Sequence, residues 1–459
     1  MNTPHTVFNI AKLRAFTVFV IALALCEINL SPYAAAARRT EPSTTTTVQN
    51  LTPIPLTGTF QQITNAYGDE YIPRIDGDVA TYLHDDYLGY LHLHLFNFAT
   101  NTDQEIPSNG TPNFPSISGN NIAFSEATVD GPYAVVVDRA SQTRTIVPGL
   151  GNWWTSLGGN VLAFENHPIP LDHSWWTEES EIALYDLTTR TVTSLTNDNL
   201  FDQSPDVSPT GDAIVWRKCQ TVDSGCDIYS AVQTAPGVFN TTALTTTSDV
   251  VYWPSTNGEI AVYTAKRNGE TDVYFQPVGG GVETRLSIPG DQYGPRTSGT
   301  LICFQSLVQH GNYPSYDIFV YDLATANLYQ ATDTLLSEYL SDIDVRNGVA
   351  RIVYSTAGPQ DFNLSAFTFQ VPSSTTDQIE GLIALVESFG LPRGPENSLI
   401  TKLEAALSAL AAGDTATACS SVTSFINETR AQSGKKLTAE QANQLIDVAN
   451  QIKTDLGCE

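Results

Sequence analysis

Positive charge is scarce in this chain: Lys and Arg number 22 against 49 Asp and Glu in 459 residues, a formal net charge of −27. A surface this acidic repels phosphates rather than neutralising them, which excludes a nucleic-acid partner. Charged residues of both signs make up only 15%, while 41% are hydrophobic, so the chain can bury a substantial core and is not disordered. Cysteine is sparse, six in all, and no C-x-x-C spacing suggests a thiolate metal site. Beyond the first 37 residues no stretch approaches the roughly 18 apolar residues that span a bilayer, so no transmembrane segment is expected in the mature chain. The G-x-S-x-G elbow, the H-E-x-x-H helix and the Gly-rich phosphate loop are also missing, and no carboxylate pair is singled out as an acid/base couple.

What is present at the start has the order of an export signal. Lys12 and Arg14 precede the apolar residues 15–25, and Ala34, Ala35, Ala36 and Ala37 follow Pro32 as a small-residue cleavage site. Residues 1–37 therefore read as a signal peptide of a secreted or periplasmic bacterial protein, with the mature chain starting near Arg38. The alternative is a lipoprotein anchored through Cys26, against which Leu23 stands where an acylation signal takes a small residue. Five cysteines remain. Cys219 and Cys226 flank a short hairpin and predict one disulfide; Cys419 and Cys458 predict a second that pins the last helix. Cys303, within Leu301-Ile302-Cys303-Phe304, reads as a buried thiol.

After a Thr-rich stretch at residues 44–47, within a leader (38–57) that reads as flexible, one unit recurs seven times. Each copy is a Gly turn followed by a short apolar strand, at Gly77, Gly119, Gly159, Gly211, Gly258, Gly299 and Gly348. A further short strand follows each one. Four short strands at this period predict the blades of a β-propeller, each too small to bury its faces alone but stable in a ring. The last unit stops after three strands at Val371, and Phe60-Gln61-Gln62-Ile63-Thr64 resembles a leftover fourth, so the N-terminal strand is predicted to complete the last blade and close the ring. The fold class is thus mainly β, a propeller over 58–371, seven-bladed or, if one irregular terminal unit is a cap, six-bladed.

The segment Ser204-Pro205-Asp206-Val207-Ser208-Pro209-Thr210-Gly211-Asp212-Ala213-Ile214-Val215-Trp216, with Asp227-Ile228-Tyr229 after it, resembles the TolB-like, PD40-repeat propellers of bacterial envelope proteins. Similar Asp-apolar-aromatic strands recur at Asp272-Val273-Tyr274 and Asp317-Ile318-Phe319. The resemblance implies the fold; such propellers serve as binding platforms, as parts of peptidases and as polysaccharide lyases.

A short linker, 372–376, separates the propeller from residues 377–459, where composition shifts to Ala, Leu and Gln. Apolar residues then recur at helical spacing in four stretches, broken at Gly390, Gly413 and Gly434, which predicts a small four-helix α domain. Caps are expected from Asp377 with Glu380, from Asp414, and from Thr438 with Gln441. Asn397-Ser398-Leu399, Phe425-Ile426-Asn427 and Gln432-Ser433-Gly434-Lys435 make this tail similar to the FIMAH-type domain of secreted bacterial proteins, which implies surface attachment or interaction; a passive folded terminus is the alternative.

Candidate binding residues follow from the repeat. A Pro stands four residues before the turn Gly in several units, and the two residues before it enter the innermost strand near the channel mouth. Tyr71, Trp153 and Trp154, Tyr252 and Trp253, and Tyr293 occupy those places, with Asp342 and Ile343 in the last unit. Such rings stack on sugars or grip a peptide, although aromatics also fill the space between blades. Arg74 and Arg296, each following its Pro, bring rare positive charge to the same face. His92 and His94 alternate on one strand face with His84 one hairpin earlier; they are candidate ligands of a divalent metal or members of a solvated face. No cofactor is otherwise expected. The chain therefore reads as a secreted, non-catalytic binding protein with a peptide, protein or glycan at the propeller face, the alternative being a carbohydrate-active lyase or hydrolase.

Overall fold

The computed structural model describes residues 45–49, 51–65, 67–167, 179–221, 224–247, 250–267, 269–358, 361–372 and 374–458. The signal peptide, Cys26 and Arg38 lie outside the described residues. The chain divides into two compact units between Val371 and Pro372.

The first unit is a seven-bladed propeller, so the six-bladed alternative falls away: seven antiparallel sheets follow one another in chain order. Their innermost strands are Asp69–Asp76, Thr111–Ser118, Asn152–Gly158, Phe201–Val207, Val250–Thr256, Gln292–Ser298 and Glu338–Arg346, for blades 1 to 7. Each turns back through a residue of left-handed backbone. Gly77, Gly119, Gly159 and Gly299 take φ of 61°, 55°, 54° and 55° there, a conformation that glycine adopts without steric penalty. Blade 7 uses Asn347 (φ 52°), asparagine being the residue that best tolerates this region after glycine. In blade 4 the longer Ser208–Asp212 turn is held by its own side chains, with Ser208 Oγ donating to Asp212 Oδ1 (2.7 Å) and accepting from Ala213 N (3.0 Å).

Thr59–Gln62 pairs antiparallel with Phe362–Gln370 and supplies the outermost strand of blade 7. The same N-terminal stretch then enters blade 1, where Thr64 Oγ1 donates to Glu70, whose other oxygen meets His84 Nδ1 at 2.9 Å. Part of the stretch read as a flexible leader is strand as well. Thr46–Val48 pairs in parallel with Thr284–Leu286 of blade 5, and Ile54–Pro55 with Asn327–Gln330 of blade 6. The reason is local: a Thr run has β-branched side chains suited to a pleated edge, and each outer strand offers unpaired backbone groups.

The core is a series of clusters between neighbouring blades. Leu83, Leu93 and Ile106 of blade 1 meet Ile117, Ile122 and Phe124 of blade 2, and Cys303 and Ile318 of blade 6 meet Ile352 and Tyr354 of blade 7. Each such side chain contributes about 1.5–3 kcal/mol when fully buried, and none finds that burial inside one blade. Cys303 is a free, fully buried thiol. Cys219 and Cys226 stand directly opposite in blade 4 and form a disulfide.

The second unit consists of α1 (Thr375–Ser388), α2 (Arg393–Ala411), α3 (Thr415–Gln432) and α4 (Ala439–Asp455). Its core gathers Leu382, Val386, Leu403, Val422, Phe425 and Leu445. α1 starts two residues before the expected boundary, because its capping box is Ser374 with Asp377 rather than Asp377 with Glu380. Asp414 caps α3, Thr438 with Gln441 caps α4, and a disulfide joins Cys419 to Cys458.

Candidate functional site at the channel mouth

Six of the seven innermost strands break their ladder at one level. Pairing to the second strand lapses between Tyr71 and Arg74, Asn113 and Ser116, Trp153 and Ser156, Gln203 and Asp206, Tyr252 and Ser255, and Tyr293 and Arg296. The first residue inside each break has positive φ: Ile72 48°, Phe114 46°, Trp154 44°, Ser204 54°, Trp253 34° and Gly294 58°. Five of those breaks hold Pro as their second residue, where the missing N–H takes nothing from the sheet. A left-handed backbone at Ile, Phe or Trp is unfavourable for a bulky side chain and persists only where the surroundings fix it. Some of those surroundings are polar groups of a neighbouring blade: Thr155 Oγ1 of blade 3 donates to Phe114 O of blade 2 (2.6 Å), and Ser204 N of blade 4 donates to the buried Glu165 of blade 3 (2.6 Å).

Blade 7 departs from the pattern. Its lapse falls earlier, between Leu340 and Asp342, and the expected pair Asp342–Ile343 stays in the ladder opposite Val353 and Ile352. Counting back from Gly348 could not show this, because Asn347 also takes the left-handed turn conformation and the lapse skips one residue where the other blades skip two.

The breaks collect aromatic rings on the face where the innermost strands begin. Trp153 meets Phe114 edge-on (5.3 Å) and Trp154 stacks on it (4.4 Å), while Ile72 packs against the same cluster. Tyr71 is buried, its hydroxyl donating to Asp69 (2.5 Å); burial first and that carboxylate second push the phenol well above its ordinary range, so it stays a donor. From Tyr71 an arc of ring contacts runs through Phe362, Tyr339 and Tyr316 to Tyr293, with centroids 5.7 to 6.1 Å apart. Tyr252 and Trp253 form a separate pair at 6.1 Å. Of the predicted aromatics, Trp154, Tyr252, Trp253 and Tyr293 are partly exposed, whereas Tyr71 and Trp153 serve as supports. Sequence reasoning missed Tyr316, Tyr339 and Phe362; the first and last stand at the start of third strands, which enter no periodic argument about innermost ones.

Beyond the breaks the channel narrows to a cavity of about 90 Å³ lined by Arg74, Ser116, Ser156, Asp206, Ser255 and Asp342 among others. Arg74 and Arg296 therefore belong to the channel interior rather than to the aromatic rim. Arg296 Nη1 reaches Asp206 Oδ1 at 3.7 Å, and Asp342 accepts from Ile75 N at 3.0 Å. Burial and the neighbouring Arg74 hold the Arg296 guanidinium down at about 10, still cationic at neutral pH. Burial pushes the Asp342 carboxyl up, and the two guanidinia oppose that shift. Ser116 Oγ is buried against this cavity without a hydrogen-bond partner.

The three candidate histidines are each engaged by a different carboxylate: His84 with Glu70 (2.9 Å), His92 with Glu105 (2.9 Å) and His94 with Asp103 (2.8 Å). Among the described residues, the groups whose ligand atoms lie within 4.8 Å of one another are instead His310, Asp317 and Asp333, and Glu181, Asp198 and Asp202.

The chain matches no sequence-family model and no curated protein. Solved structures share the fold. An acylaminoacyl peptidase from Pyrococcus horikoshii matches with 13% identity and a TM-score of 0.51, over 67% of this chain and 53% of that one. A structure from a study of two prolyl endopeptidases gives 13% and 0.52, over 67% and 48%. The oligogalacturonate lyase from Vibrio parahaemolyticus gives 10% and 0.50, over 71% and 97%. The chain thus spans about half the length of the peptidases it matches.

Proposed function

We propose that this chain is an exported binding protein whose propeller holds an extended peptide or glycan across the channel mouth, with the helical unit serving attachment or interaction. The observation that carries this reading is the left-handed break repeated in six blades. Backbone strain of about 1–3 kcal/mol per bulky residue is retained at one level, and strain of this kind gathers at ligand sites. Partly exposed rings at Trp154, Tyr252, Trp253 and Tyr293 supply contact area above a polar channel. Two disulfides fit an oxidising compartment, in line with the export signal, and the TolB-like and FIMAH-type resemblances fit an envelope or extracellular setting. The reading invokes no cofactor.

The test is a panel of peptides and of neutral and acidic oligosaccharides titrated against the full mature chain, read by tryptophan fluorescence. Trp154→Ala combined with Trp253→Ala is expected to weaken the best binder roughly tenfold or more, since alanine at a central aromatic anchor commonly removes 2 kcal/mol or above. Undiminished binding by that variant contradicts the reading. The match along 97% of an oligogalacturonate lyase favours a second reading, a propeller-fold lyase or hydrolase. Release of unsaturated product from oligogalacturonate, lost in His92→Ala plus His94→Ala or after chelation, selects it; binding without turnover selects the first.

A further inference from the structure

Six large apolar side chains stand between 44% and 79% exposed on one sector of the strand-start face: Tyr67, Leu88, Tyr90, Tyr313, Leu335 and Leu336. They occupy the loops leading into blades 7 and 1 and the turns between second and third strands of blades 6 and 1. These segments are joined to one another. Ser315 Oγ donates to Thr334 O (2.9 Å) and Tyr316 N to Ser337 Oγ (3.3 Å), which fixes the blade 6 turn to the loop bearing Leu335 and Leu336. Phe362 N donates to Asp69 (2.7 Å), and Tyr67 meets Tyr87 edge-on at 5.2 Å, which ties blade 7 to the blade 1 turn. Single exposed apolar residues are ordinary; a connected set with three tyrosines is an interaction surface.

Charge decides what fits it. Residues 67–70, 85–91, 311–316, 331–339 and 361–362 contain no Lys or Arg; Asp85, Asp86, Asp333 and Asp361 are at least partly exposed there, while Asp69, Glu70 and Glu338 are buried beneath them. A second copy would bring the same acids against them, and an anionic lipid surface would be repelled. We infer that this sector docks a basic protein segment, one presenting Lys or Arg around apolar anchors. The inference rests on the propeller acting as a binding platform, but none of its six exposed apolar anchors belongs to the channel-mouth rings, which it meets only through the backbone of Tyr316 and Phe362.

The experiment titrates a synthetic amphipathic Lys/Leu helix, and a Glu/Leu helix of the same length, into the full chain by fluorescence anisotropy at low and high salt. The Lys/Leu helix is expected to bind, more weakly at high salt, and the Glu/Leu helix not to bind. Leu88→Ser, Tyr90→Ser, Tyr313→Ser and Leu335→Ser combined, all exposed and in or next to turns and loops, should weaken binding roughly tenfold. Trp154→Ala with Trp253→Ala should leave it unchanged. Wild-type affinity in the fourfold variant, equal binding of the Glu/Leu helix, binding to phosphatidylglycerol vesicles instead, or salt-promoted dimerisation through this sector overturns the inference. Loss of Lys/Leu binding only in the tryptophan variant overturns it and leaves the channel-mouth reading standing, while failure of that earlier panel leaves the present result untouched.

Discussion

Glu338 opens the innermost strand of blade 7 and is 2% exposed, accepting from Thr332 Oγ1 (3.2 Å) and Thr334 Oγ1 (2.5 Å). Burial first, and the buried Asp317 beside it, push its carboxyl up to about 7 despite the two threonines. The folded chain therefore holds a proton that the unfolded chain releases near pH 4.5. Stability from this group is full below that value and is lost as pH rises towards 7, by about 3 kcal/mol at the level of 1.36 kcal/mol per pKa unit. Glu338→Gln should match the parent near pH 4.5 and exceed its stability at pH 8, in urea titrations read by tryptophan fluorescence. All six tryptophans precede residue 371, so the signal reports the propeller alone. Parallel pH profiles for the two proteins would contradict the assignment. Position in the chain marks Glu338 only as an acid near an aromatic, because its environment is made by Asp317 and Thr332 across a blade boundary.

At the scale of elements, the strand Thr59–Gln62 closes the ring and the two short strands before it only lengthen blades 5 and 6. A chain beginning at residue 58 should still unfold cooperatively in urea, with a lowered midpoint. One beginning at residue 65 should lose the closing ladder, the Thr64 contact to Glu70 and the cover over Phe362–Gln370, and should aggregate or unfold without cooperativity. Equal midpoints for the two truncations would show that closure rests elsewhere. The closing strand was legible because the last unit lacked one member and the Phe-Gln-Gln-Ile-Thr run supplied it. The preceding strands were not: Thr-rich sequence suits a pleated edge and a solvated coil equally, and only the parallel partners Thr284–Leu286 and Asn327–Gln330 decide between them. The helical caps at Asp414 and Thr438 are legible because capping is local, whereas α1 begins earlier than expected because Ser374 is its N-cap and Asp377 the partner three residues on.

At the scale of the whole molecule, a short sequence motif and its structural meaning came apart. The Pro four residues before the turn Gly in four units marks a repeating level of the channel, and Tyr71, Trp153, Trp154, Tyr252, Trp253 and Tyr293 do fall there. Its physical content, a left-handed residue that interrupts six innermost strands, appears only once register is known. Register likewise moved Arg74 and Arg296 into the channel beside Asp206 and Asp342, and linked Tyr316, Tyr339 and Phe362 into the rim. The central claim is that this interrupted level is where ligand meets the propeller. Hydrogen–deuterium exchange on the full chain, with and without the tightest peptide or glycan of the panel, tests it most directly. Protection should appear in Asp69–Asp76, Asn152–Gly158, Val250–Thr256 and Gln292–Ser298. Protection confined to the outer strands Thr102–Ile106 and Thr191–Ser194, or to the helical unit, would contradict it.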